Sequence, residues 1–150
     1  MPAHTTPRTI IAVTGEDETY APLRVRAADL ATEPGDAVIL YDLDAASVFA
    51  SPVPTGWSAE GEQDLVEEEA RGDRLDPDAL ETAGRASIAG QVRDLRARGI
   101  DAWAWLPTSR DPADLVAYAE RQGAVILVVP PGLEIPHDAT LAVERVPVED

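Results

Sequence analysis

Residues Asp111–Gly132 read DPADLVAYAERQGAVILVVPPG, and this stretch decides the fold. Asp111 and Pro112 are a cap and first-turn pair: the carboxylate can take an orphan N–H at a helix start, and the proline ring presets φ there. Gly123 ends that helix. Ala124 to Val129 follow as an unbroken apolar run, the pattern of a strand buried on both faces of a parallel sheet. The run then meets Pro130 and Pro131, at the point where a nucleotide-binding α/β domain would place its phosphate loop.

The same alternation extends in both directions. Arg8 to Thr14 (RTIIAVT) and Ala37 to Tyr41 (AVILY) are two further buried strands, Asp101 to Leu106 (DAWAWL) a third, and Thr140 to Val146 (TLAVERV) a fifth after Ala124–Val129. Thr19 can cap a first helix with Pro22 in its first turn; Leu23, Ala27, Leu30 and Ala31 then share one side, and Pro34 and Gly35 end it. Asp76 and Pro77 open a long second helix on which Leu80, Gly84, Ile88, Val92 and Leu95 recur before Gly99. Strands alternating with helices predict an α/β fold, an open parallel sheet of about five strands with helices on both faces, in flavodoxin-like layering. Ligands of such sheets gather at the carboxyl ends of the strands, where strand order reverses.

Length and composition narrow the function. A chain of 150 residues matches one domain and can bury roughly 70% of its unfolded surface. No apolar run approaches a membrane span, and MPAHTTPRTI lacks the basic and apolar blocks of a secretory signal, so the expected location is cytoplasmic. There is no cysteine, and with only His4 and His137 as imidazoles a metal site is not expected. All 12 basic residues are arginine. The missing lysine excludes the P-loop of ATPases and GTPases and Schiff-base chemistry. A net charge of −16 repels nucleic acid phosphates and anionic lipid, so neither is an expected partner. The acids serve solubility or offer a docking face to a basic protein.

One connection breaks the rhythm. Residues 44–75 hold SPVPTGWS and EGEQDLVEEEARGD, a long acidic, Pro- and Gly-rich insertion in which Gln63–Ala70 can form a helical turn or two. Trp57 either folds back as an apolar plug or is offered to a partner. Trp103 and Trp105, two apart, share a face of the third strand and are expected to pack under a helix.

Three stretches together resemble a universal stress protein domain. They are Ile10–Ala31 (IIAVTGEDETYAPLRVRAADLA), Gly35–Asp44 (GDAVILYDLD) and Asp111–Gly132, in the family's order and over roughly half of the chain. The resemblance implies the adenine-nucleotide α-hydrolase-like fold. It also implies what is missing. Members that bind ATP carry an aspartate after the first strand, where Thr14 stands here, and a Gly-x2-Gly-x9-Gly cradle followed by Ser or Thr after the fourth. This chain offers Pro130, Pro131 and Gly132, and no later glycine. Prolines lack the N–H groups a phosphate cradle uses. Glu16, Asp17, Glu18, Asp42 and Asp44 also put five carboxylates near the crevice, which repel a triphosphate.

The resemblance therefore points to the class without the ATP motif: a non-catalytic stress or regulatory protein with no cofactor, dimeric and open to a protein partner. The alternative is a small-ligand or unconventional nucleotide binder using Thr14, Gly15, Thr108, Ser109 and Arg110, of which the last three can equally be turn and cap residues. A third reading comes from VILYDLDAAS, which resembles the first motif of haloacid-dehalogenase-type phosphatases, with Asp42 as nucleophile and Asp44 as acid/base. That family needs a downstream lysine and a late acidic pair, so Asp42 and Asp44 are read as solvated turn acids. His137 is read as a loop histidine.

The last strand carries the dimer expectation. Pro131 to Ala139 leave no room for the family's usual fourth helix, so the strand is expected to turn back antiparallel on its own sheet or to cross to a partner. Leu141 and Val143 point to one face and Ala142, Glu144 and Val146 to the other, the half-exposed pattern of an edge strand. Leu141, Val143 and Arg145 are the candidate dimer residues.

Overall fold

The computed structural model describes residues 8–16, 18–45, 74–136 and 141–148. Apolar runs without alternation become strands covered on both sides. Strand β1 (Thr9–Thr14) is buried from its second residue onward, and all of β2 (Ala37–Asp42) is buried. They pair in parallel with β3 (Asp101–Trp105), β4 (Ala124–Val129) and β5 (Ala142–Arg145) in one five-stranded sheet of order β3-β2-β1-β4-β5. Between them lie α1 (Ala21–Leu30), α2 (Pro77–Thr82), α3 (Ala86–Ala97) and α4 (Pro112–Arg121).

Side-chain partners fix the layers. Successive strand residues face opposite sides, and Tyr41 packs on Tyr118 of α4 while Asp42 pairs with Arg85 at the start of α3. Helices α3 and α4 therefore cover opposite faces. Thr14 lies beside Asp42 in register and meets Arg24 of α1 at 3.5 Å, so α1 shares the α3 face. The core between these layers is aliphatic, with Ile10, Ile11, Leu23, Ile39, Leu40, Leu80, Ile88 and Leu127 fully buried. Each such side chain contributes about 1.5–3 kcal/mol.

Several expectations need correction. The long second helix is two helices: Gly84, at φ +82°, sits in the left-handed region and breaks the ladder between α2 and α3. Leu80 and Ile88 are buried on either side of the break, so the apolar spacing conceals it. Thr19 does not cap α1; it lies within a 3-10 turn over Glu18–Tyr20, and Tyr20 stands at the cap position without a side-chain bond. Asp111 does cap α4, accepting from the Ala113 N–H at 2.9 Å.

Strand β5 neither turns back nor leaves the sheet: it runs parallel to β4, with Leu127 beside Val143 and Val129 beside Arg145. The strand begins at Ala142, so residues 130–141 are available, about the dozen that a parallel crossover needs. Among the described residues of that connection there is no helix. Two further corrections, the burial of Asp42 and the separation of the candidate site residues, belong to the site below. At the other edge of the sheet Leu75 forms an antiparallel bridge with Ala104 and covers part of β3. Asp17, the insertion over 46–73 with Trp57 and Gln63–Ala70, and His4, His137, Asp138, Ala139 and Thr140 lie outside the described residues.

Candidate functional site

Strand order reverses between β1 and β4, so the crevice of this fold opens at Thr14, Gly15 and the turn after Val129. Thr14 is the last residue of a strand whose neighbours are all buried, and it is itself fully buried. Its hydroxyl donates to Oε1 of Gln91 at 2.7 Å, and Nε2 of Gln91 donates to the Gly15 carbonyl at 2.9 Å. One amide from α3 thus satisfies both candidate ligand residues. Gly15 is held close on its other side. A Cβ there would collide with the Asp44 carboxylate and the Tyr20 ring.

The carboxylates of this region do not form a bare negative mouth. Asp42 is fully buried: its Oδ2 accepts from Nε of Arg85 at 2.8 Å and NH2 at 2.6 Å, and its Oδ1 accepts from the N–H groups of Asp44 and Ala45. The reading of Asp42 as a solvated turn acid is therefore wrong. Arg85 also reaches Glu16 at 3.0 Å, Arg24 pairs with Glu18 at 2.8 Å, and Asp44 accepts from the Glu16 N–H at 3.0 Å. Burial holds the Asp42 carboxyl above the ordinary range, against the opposing pull of Arg85 and the Ala45 N–H. With its oxygens engaged, Asp42 has no lone pair aimed at solvent for attack on phosphorus.

After β4, Leu133 N–H returns to the Pro130 carbonyl at 3.2 Å, while Arg145 donates to the Leu133 carbonyl at 2.6 Å. Arg145, expected at a dimer seam, thus clamps the turn of its own chain. Leu141 and Val143 are partly buried against the core, and Glu144 pairs with Arg26 of α1 at 3.0 Å. That bond holds the Glu144 carboxyl below its usual value.

Thr108, Ser109 and Arg110 are elsewhere. They follow β3, two strands from β1, so the five residues expected to form one site fall into two places. Ser109 accepts from the Asp111 N–H at 3.0 Å as part of the α4 cap, and Arg110 donates to the Leu43 carbonyl at 3.2 Å. Thr108 and Ser109 line a separate cleft of about 300 Å³ at the edge of the sheet, with Tyr41, Trp105, Asp114 and Arg121. Trp105 stacks on Tyr118 with centroids 5.5 Å apart and planes 11° from parallel, packing under α4 as expected. Trp103 is covered instead by Arg74 and by Arg96 of α3, which lie over its ring at 4.9 and 5.8 Å.

Sequence reasoning missed Arg85 and Gln91. Both are buried polar residues on the α2–α3 segment, and no sequence pattern marks them; only the fold brings them to the ends of β1 and β2.

No protein-family model matches the chain, and no curated protein matches it. Among solved structures it is similar to the universal stress protein from Archaeoglobus fulgidus in complex with dAMP, with a TM-score of 0.52 at 14% identity, over 96% of this chain and 98% of that one. At that identity the likeness shows the α/β fold, with its five-stranded parallel sheet. No helix among the described residues is long and apolar enough to cross a membrane.

Proposed function

We propose that this chain is a universal-stress-type protein of the class without an ATP site, acting without catalysis as a cytoplasmic, single-domain homodimer in a stress or regulatory role. One observation carries the reading: at the strand-order reversal the chain fills its own crevice. Gln91 occupies the bonding groups of Thr14 and Gly15, and Arg85 is shared by Asp42 and Glu16. The neighbouring fold holds dAMP; here Pro130 and Pro131 lack N–H donors for a phosphate. Titration calorimetry with MgATP and with dAMP tests this. A dissociation constant below about 100 μM for either, roughly −5.5 kcal/mol, overturns it.

The dimer rests on β5, whose outer edge is unpaired among the described residues. The Val146 N–H donates to the Val129 carbonyl, so strand alternation turns the Val143 N–H outward. Two such edges related by a two-fold axis supply each other's missing partners. Sedimentation should show a dimer, and Val143→Pro should give a folded monomer, since no bond to β4 is lost. An intact chain that remains monomeric at tens of micromolar refutes this arrangement.

A further inference from the structure

The sheet ends in two outer strands, β3 and β5, and the chain treats their edges differently. On β3, Ala104 gives both of its outward backbone groups to Leu75: the Leu75 N–H donates to the Ala104 carbonyl at 2.7 Å, and the Ala104 N–H donates to the Leu75 carbonyl at 3.1 Å. Two residues earlier, the Ala102 carbonyl accepts from Nε of Arg96 at 2.9 Å. The NH2 group of the same guanidinium donates to Asp76 at 2.6 Å. Arg74 lies over the Trp103 ring and donates through Nε to Oε1 of Gln122, just past α4, at 2.7 Å. Three consecutive residues, Arg74, Leu75 and Asp76, are thus tied along the rim of β3. No such bridge lies along the outer edge of β5 among the described residues.

We propose that Arg74, Leu75 and Asp76, with Arg96, form an edge guard that keeps a second copy of this chain from pairing with β3. An outer strand with free N–H and C=O groups is a template for a strand of another molecule, and covering it with the protein's own chain removes that template. Leu75 stands where the incoming strand would lie, and its two bonds to Ala104 are bonds the newcomer needs. The consequence is a limit on assembly. A copy with one open edge closes into a two-fold pair, whereas a copy with two joins β5 to β5 and β3 to β3 in turn, a chain without an end. The guard rests on the dimer reading only for the size of the product: where β5 does not pair, a freed β3 turns a monomer into a pair.

Leu75→Pro removes the N–H given to Ala104, and Arg96→Ala removes the donor to Ala102. In sedimentation of the full chain from tens to hundreds of micromolar, the parent should be a dimer and the double variant should grow beyond a dimer with concentration. Adding Val143→Pro should cut that growth back to a dimer. A monomeric parent with a dimeric double variant sinks the β5 reading and leaves the guard standing. A double variant that melts as a folded protein yet keeps the parent's mass overturns the guard, and so does growth past a dimer that survives Val143→Pro, since that is general aggregation. Where the double variant does not fold, native-state hydrogen exchange decides. The Ala104 amide should be protected in the parent and should exchange about tenfold faster in Arg74→Ala/Arg96→Ala, which loosens the guard from its side chains. An Ala104 amide that exchanges freely in the folded parent, or one indifferent to those substitutions, overturns the proposal.

Discussion

Replacing Arg85 with methionine removes the guanidinium that faces Asp42 while keeping a long, apolar side chain in its place. In the intact protein the Arg85 side chain is 6% exposed and that of Asp42 not at all. The variant leaves an ionised carboxylate with two backbone N–H donors and no cation, which costs about 3–5 kcal/mol. A domain of this size has about 5–15 kcal/mol in total. Losing the contact to Glu16 adds little, because that carboxylate is half exposed. The intact pair is a different matter. Burial raises the Asp42 carboxyl above its ordinary value, so the folded chain binds this proton more readily than the unfolded chain does. The stability linked to that proton is fully present below the unfolded value of about 3.9 and is lost as pH rises through the raised one. Without Arg85 the raised value climbs further. The Arg85→Met deficit should therefore be small near pH 4 and grow toward pH 7, and adding Asp42→Asn should recover most of it. Urea unfolding of the parent, both single variants and the double variant at several pH values measures this. A single variant within about 1 kcal/mol of the parent at pH 7, or a double variant no better than Arg85→Met, refutes the reasoning.

Gln91→Leu strands the Thr14 hydroxyl and the Gly15 carbonyl, and should cost about 1–3 kcal/mol in urea unfolding. Asp36 is raised by burial but pulled below its ordinary value by the Arg8 and Glu33 N–H groups and the Arg8 guanidinium. Its contribution is present above the unfolded value of about 3.9 and is lost as pH falls through the lowered one. Asp36→Asn should thus melt lower than the parent at neutral pH, with the gap closing on acidification; a gap that is constant with pH would remove the charge from the explanation. The 28 acids against 12 arginines predict a melting temperature that rises with sodium chloride toward about 1 M, and a flat curve would mean that the observed pairs already balance the repulsion.

The strands were legible because burial on both faces leaves a mark that needs no partner to be read: Ile10–Val13, Val38–Tyr41 and Leu127–Val129 are continuous apolar runs, and each is buried. Polar residues carry no such mark. Asp42 looks like any acid at a strand end, and only the fold brings Arg85, far along the chain, within 2.6 Å of it. The apolar spacing through Leu80, Ile88 and Val92 hid the break at Gly84 for a related reason, since both helices press the same kind of side chain on the same sheet face. The direction of β5 was lost to a smaller error. Strand β4 ends at Val129 as expected, but placing the start of β5 at Thr140 instead of Ala142 and counting the connection from Pro131 instead of Pro130 makes it shorter than a parallel crossover needs. The candidate site failed in the same way: Thr14 and Ser109 both follow strands, but the order β3-β2-β1-β4-β5 puts β2 between them, and strand order is a property of pairing that local pattern does not contain. What the separation leaves at the strand-order reversal is a crevice in which Gln91 bonds Thr14 and Gly15 and Arg85 is shared by Asp42 and Glu16.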